Sequence, residues 1–175
     1  MKTREPNSAN SSMVTGMTEK SDIETLAELV KKFRFAMLTT VDDQGQLVAH
    51  PLTVQEAEFD GDLWFIVGAH ASSLENLLVN PGAGVSLSSN DAWVSLTGTA
   101  GVVDDRAKVK ELWGSTLEAW FPEGPDDPNV RLLKFTADGA EYWDSPGGKV
   151  ATLFSLVKSK VTGETYEGEN AKIEL

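Results

Sequence analysis

Hydrophobic positions first repeat with helical spacing, at Ile23, Leu26, Ala27, Val30 and Phe33. This predicts an amphipathic helix over 22–32. Ser21 stands before it with Glu24 three positions on, the pattern of a capping box. From Phe35 the period shortens. Phe35–Val41 predicts a strand, Asp42-Asp43-Gln44-Gly45 a turn, and Gln46 onward a second strand that runs to about Phe59. Pro51 lies inside that strand and places it at a sheet edge or a bulge. Asp60-Gly61-Asp62 predicts a further hairpin turn. Leu63–Val67 is unbroken apolar, the mark of a strand covered on both faces.

Ser72-Ser73-Leu74-Glu75 predicts a second capping box, opening a short helix with Leu74, Leu77 and Leu78 that ends at Asn80-Pro81-Gly82. Val85–Ser88 and Trp93–Val103 follow as strands around Ser89-Asn90-Asp91. In the second, Val94, Leu96 and Gly98 alternate with Ser95, Thr97 and Thr99. Asp104-Asp105 predicts the cap of a helix over 105–120, with Val109, Leu112, Trp113, Leu117 and Trp120 on its apolar side. Three prolines and a glycine keep 121–128 irregular. Val130–Thr136 and Ala140–Trp143 predict a last hairpin around Asp138-Gly139, and 149–160 a helix.

Closely spaced strands joined by hairpin turns, with helices inserted at three places, predict an α+β, mainly β, antiparallel barrel with flanking helices. Residues 1–20 read as a mobile polar tail, 21–161 as one domain, and 162–175 as a polar, extended C-terminal extension.

Composition narrows the chemistry. The 175 residues are 41% hydrophobic and 24% charged, with a formal charge of −12. Such an acidic chain disfavours nucleic acid and anionic membranes, both of which need clustered cations. There is no cysteine, so disulfides, thiolate catalysis and Cys-ligated metals are excluded. His50 and His70 are the two histidines and have no metal-binding spacing. No apolar run reaches membrane-span length and no signal region opens the chain, which points to the cytoplasm. The carboxylate pairs Asp42-Asp43, Asp104-Asp105 and Asp126-Asp127 fall at turns, caps and loops, where nothing apolar raises a pKa. No nucleophile–base–orienter set can be assembled, and no catalytic residue is assigned.

The ordered set Phe59-Asp60-Gly61-Asp62-Leu63-Trp64-Phe65, Asn80-Pro81, Trp93–Gly98, Val103–Lys108, Leu112-Trp113, Ala119–Pro128 and Glu141–Asp144 resembles the general stress protein 26 branch of the pyridoxamine 5′-phosphate oxidase-like, FMN-binding split-barrel family. The likeness runs from about Ser21 to the C-terminus. It implies a six-stranded antiparallel split barrel, a homodimer, and FMN in a cleft between subunits. The phosphate would be held around 64–73. The implied cofactor contacts are His50, Pro51, Leu52, Trp64, Phe65, Ile66, Val67, Ser72, Ser73 and Trp93. FAD or a deazaflavin is an alternative ligand.

The chain departs from the family pattern at several of these places. The family's Arg on the second strand corresponds to His50. Its Thr or Ser at the end of the Trp-Phe strand corresponds to Val67, and its basic residue before the short helix to Ala69. Its Ser and Lys at the helix start correspond to Ala71 and Ser73. A Gln used against the isoalloxazine corresponds to Trp93. Moreover, no Lys or Arg occurs between Arg34 and Arg106. A helix start attracts a phosphate through free N–H groups and a dipole equal to about half a charge, so Ser72 and Ser73 either donate to a phosphate there or serve a structural helix. His50, His70, or a partner's Lys149, Lys158 or Lys160 could supply the cation. His70 reads more readily as a solvated loop residue, and Trp113, Trp120 and Phe121 as packing. By the resemblance alone, Trp143 faces a partner's cleft. Two functions follow: a dimeric flavoprotein acting as an oxidoreductase, or a non-catalytic stress-response module of the same fold that has weak or lost FMN affinity. Pyridoxamine-phosphate oxidase activity is disfavoured, because a second cationic phosphate site is missing.

Overall fold

The computed structural model describes residues 24–55, 57–144 and 169–174. The cap at Ser21, the tail 1–20 and the segment 149–160 lie outside them. Helix α1 covers 24–30. Next come β1 (Phe35–Val41), β2 (Leu47–Thr53) and β3 (Asp62–Gly68). They are followed by α2 (Ser72–Val79), β4 (Gly82–Ser88), β5 (Ala92–Val103), α3 (Arg106–Glu111) and α4 (Ser115–Trp120). The last elements are β6 (Val130–Asp144) and β7 (Glu169–Glu174).

All strand pairs are antiparallel and form one curled sheet in the order β2-β1-β4-β5-β6-β3, with β7 also on β6. The β1–β2 turn forms where the sequence places it. The Asp42 carboxylate accepts the N–H groups of Gln44 and Gln46, and Gly45 takes φ +79°, a region costly for residues with a Cβ. Pro51 sits on β2 at the sheet edge, where its missing N–H removes no ladder bond.

The barrel is split because its two edge strands do not pair. Near the seam, just past the end of β2, Gln55 N–H donates to the Trp64 carbonyl across 3.2 Å. Asp60-Gly61-Asp62 is therefore a bend between strands that part company. β2 ends at Thr53, and β3 crosses to the far edge to pair with β6.

β6 departs further from expectation. It is one continuous strand, with no hairpin at Asp138-Gly139, because Gly139 does not take the positive φ that a tight two-residue turn needs. Thr97 pairs with Gly139 and Gly98 with Ala137, which leaves Asp138 as the extra residue of a β-bulge. The bulge lets β6 bend along its length, so its first half carries β3 and its second half β7.

The main core fills the concave face. Phe65 and Phe135 are fully enclosed, as are Leu38 and Leu133, and Leu26, Leu29 and Phe33 of the α1 segment close it. Burial of each such side chain contributes about 1.5–3 kcal/mol. A second cluster lies on the other side of β3, where Ile66 meets Val109, Leu112 and Leu117. The unbroken apolar run of β3 thus serves two cores, with Leu63, Phe65 and Val67 in one and Ile66 in the other.

The expected helix over 105–120 is two helices. Asp105 caps the first by accepting from Lys108 N–H at 2.9 Å. Gly114, in extended backbone at φ −138°, ψ 169°, then separates α3 from α4. The break turns Trp120 away from the apolar side, and it is 76% exposed. Leu78, expected to line α2, is also exposed.

Candidate functional site

Strand β3 delivers the chain to α2 through a tight connection. Ala69 N–H donates to Asn129 O at 2.7 Å and Ala71 N–H to Gly68 O at 3.0 Å. Ala71 occupies the N-cap position with extended backbone and no side-chain cap bond. The expected capping box is therefore absent. Ser72 already has helical backbone, which takes its hydroxyl out of the N-cap geometry. Ser72 is exposed, whereas Ser73 is buried.

Helix α2 is fastened to β1 by Asn76, whose Nδ2 donates to Thr40 Oγ1 at 2.9 Å. Thr40 pairs with Val48 on β2, and Leu38 with His50. Directly paired residues share a face of the sheet, so His50 lies on the concave side with Leu38, near the strand end that α2 covers. Its ring is half-buried, and Nε2 is shielded from solvent without a hydrogen-bond partner. A buried polar atom in that condition is costly unless something pairs with it.

The ten sequence-derived residues fall on three surfaces. His50, Leu52, Phe65 and Val67 face the concave side, with Ser73 buried at the start of α2. Pro51 and Trp93 face outward. Pro51 pairs with Met37, Met37 with Ser86, and Ser86 with Ser95, two residues from Trp93. Trp64 and Ile66 turn towards α3 and α4. Two ammonium groups approach the Trp64 ring, Lys108 at 5.6 Å and Lys134 at 5.5 Å from its centroid, a cation–π arrangement. Lys134 is also paired with Asp62 at 2.7 Å. The fold does not gather all ten into one concavity. Ser72 remains exposed beside Ser73, and His70 is exposed in the connection.

The fold also brings in cations that the sequence keeps remote. Arg131 pairs directly with Val67 at the end of β3. Its Nη1 donates to Pro128 O and Val130 O. A cleft of about 610 Å³ opens beside Thr53 and Gln55, with Lys31, Lys32 and Arg34 on its wall. Arg34 is anchored there by Val54 N–H donating to its carbonyl at 3.0 Å, and it reaches Thr116 Oγ1 at 3.4 Å. No spacing rule could reveal these groups, because their approach depends on which strands pair. Lys149, Lys158 and Lys160 lie outside the described residues.

The outward face of the sheet carries exposed apolar side chains among serines and threonines. Phe35, Met37, Leu47, Trp93 and Trp143 are all substantially exposed, and Trp93 pairs with Trp143. Among the described residues no helix is long and apolar enough to cross a membrane.

The sequence matches the family described as pyridoxamine 5′-phosphate oxidase like over residues 21–167. It is 27% identical over 154 residues to Protein bli-3 of Neurospora crassa, covering 81% of this chain and 74% of that protein. The fold is similar to a general stress protein 26 from Jannaschia sp. CCS1, with a TM-score of 0.75 and 29% identity, over 89% of this chain and 99% of the other. It is also similar to the general stress FMN/FAD binding protein of Xanthomonas citri, with a TM-score of 0.61 and 29% identity, over 71% of this chain and 89% of the other. The match across most of the chain, the split antiparallel barrel and these relatives together make this protein a member of the pyridoxamine 5′-phosphate oxidase-like family, in its general stress protein 26 branch.

Proposed function

We propose that the protein is a homodimeric flavoprotein that binds FMN in preference to FAD or a deazaflavin and acts as an oxidoreductase. The observation that carries this reading is the buried, unpartnered Nε2 of His50, on the concave side near the strand end that α2 covers. A ligand oxygen reaching that nitrogen would remove the cost of leaving it unpaired. The residues fit a phosphate group at this place. The backbone N–H groups that open α2 would meet it, and the exposed hydroxyl of Ser72 would add a donor. Arg131 beside Val67 supplies positive charge close to the β3 end. A relative that is 29% identical is named as an FMN/FAD binding protein, which supports a flavin as the ligand class.

A bound flavin would supply the redox chemistry through its isoalloxazine. The chain's own groups bind and orient: His50 donates or accepts through Nε2, and the α2 start holds the anion. The outward-facing Met37, Trp93 and Trp143 support the dimer, because large exposed apolar side chains on one face are a mark of an interface. The partner's copy would then stand over Pro51 and Trp93, bringing the outward-facing candidates into a shared cleft.

The test is direct. The purified protein is inspected for flavin absorbance, then its apo form is titrated with FMN, FAD and a deazaflavin while tryptophan fluorescence is followed. Saturable FMN binding near micromolar, about −8 kcal/mol, is the expected result. Absence of binding by all three overturns the flavin reading and leaves a non-catalytic module of the same fold.

A further inference from the structure

The cleft of about 610 Å³ lies between the chain leaving α1, the end of β2 and the junction of α3 with α4. Its volume falls within the range of small-molecule pockets, about 300–1,000 Å³. Lys31, Lys32 and Arg34 line it, in a chain whose formal charge is −12. Lys31 is paired with Glu28 at 2.9 Å, and Glu111, the acidic residue of the wall, with Lys108 at 2.8 Å. Lys32 and Arg34 form no ion pair among the described residues.

Arg34 is also held in place. Its guanidinium carbon stands 5.5 Å from the centroid of the Phe35 ring, and its Nη2 donates to Thr116 Oγ1 at 3.4 Å. Most of the five N–H donors of the fork remain for another acceptor, and a hydroxyl that accepts a hydrogen bond still has its own O–H to donate. A guanidinium from the start of β1 and a hydroxyl from α4 thus converge at one point of the cleft, both able to donate to the same group. Beside them stands Trp113, half-buried, with Phe121 at 6.3 Å between ring centroids. Val54 is likewise half-buried on the wall. Both side chains therefore keep apolar surface that a ligand can cover.

A forked cation next to a hydroxyl suits a carboxylate, which accepts both bonds in a charge-assisted arrangement. The indole beside them suits a planar apolar body, because aromatic rings pair favourably offset or edge to face. Glu111 on the wall and the negative charge of the chain weigh against a dianion such as phosphate. We propose that this cleft binds a small aromatic carboxylate. Its carboxylate is taken by Arg34 and Thr116, and its ring lies against Trp113 and Val54. The site shares no residue with the flavin site and does not rest on that reading.

The experiment is calorimetric titration of the full chain with phenylacetate, phenylacetamide, acetate and inorganic phosphate. The amide lacks the charge, acetate lacks the ring, and phosphate offers a denser charge without a ring. Phenylacetate is expected to bind saturably, with each of the others weaker by about tenfold or more, as loss of a charge-assisted bond or of the covered ring requires. Arg34→Gln is expected to weaken phenylacetate to a similar degree and to leave phenylacetamide unchanged, with an unaltered melting temperature. Thr116→Val should weaken phenylacetate in the same direction. No saturable binding of phenylacetate, equal binding of the amide, acetate or phosphate, or wild-type affinity in Arg34→Gln overturns the proposal. If that variant does not fold, Thr116→Val and the four-ligand series on the wild-type protein decide the matter.

Discussion

Asn76 of α2 donates from Nδ2 to Oγ1 of Thr40 on β1 at 2.9 Å, and Thr40 is completely enclosed. The bond joins a helix to a strand 36 residues away in sequence. It also sets where the α2 start stands relative to β2. Removing Asn76 alone leaves an enclosed hydroxyl without this partner, so Asn76→Ala is expected to cost about 1–3 kcal/mol. Thr40→Val removes the hydroxyl as well, and the double variant should lose less than the sum of the single ones. Urea denaturation of all four proteins measures the difference, and strict additivity would show that the bond contributes nothing.

Gly98 of β5 tests the bulge. A Cβ built there would run into the carbonyl oxygen of Thr136 and approach Ala137 Cα to 3.0 Å, all of it backbone. No side chain can move aside to make room, so β5 and β6 would have to separate. Gly98→Ala is expected to lower stability by about 1–3 kcal/mol, as overpacking does. Gly101→Ala is the control, since nothing lies within 4 Å of its built Cβ. Equal denaturation midpoints for the two variants would exclude close strand contact at the bulge.

How much of this was legible in the sequence depends on the range of the interaction. The β1–β2 turn could be read because Asp42 and Gly45 satisfy it locally. The faces of β5 followed from strict alternation, and those of β3 from an unbroken apolar run. Asp138-Gly139 misled because a local turn signal competes with a ladder that runs the length of β5, and the ladder prevails. Trp120 misled because its helical spacing from Leu117 holds only if Gly114 does not interrupt the register with α3. At the site, His50 could be singled out only through the family resemblance, and its buried Nε2 could not be foreseen. Arg131 was invisible as a neighbour of Val67, since that contact depends on β3 crossing to the far edge of the sheet.

The outward apolar face gives a prediction about assembly. Met37 on β1 and Trp93 on β5 lie on that face with β4 between them, and they are 41% and 44% exposed. Met37→Asp, Trp93→Asp and their combination place charge where a dimer would be dry, and an unpaired charge there is costly. Light scattering coupled to size exclusion should find the wild type as a dimer and the double variant shifted to monomer. The monomer should keep its denaturation midpoint to within the contribution of the interface, because neither side chain belongs to the core. A wild type that is monomeric at all concentrations would remove this face from the assembly.

The half-buried imidazole of His50 has an unpaired nitrogen on the concave side, beside Leu38. His50→Arg places a permanent, forked cation at that position. Without ligand, that charge is partly buried and unpaired, so the apo variant should be less stable than the wild type. With FMN present, a phosphate would pair with it, and affinity should rise by about tenfold or more, equal to about 1.4 kcal/mol. The melting temperature of the variant should then respond more steeply to FMN than that of the wild type, since a ligand stabilises by its occupancy of the folded state. Ser72→Glu, which adds an anion at the exposed opening of α2, should have the opposite effect and abolish FMN binding. Tighter binding in His50→Arg together with loss in Ser72→Glu would locate the phosphate between β2 and α2. Unchanged affinity in both variants would mean that any flavin bound by this protein lies elsewhere.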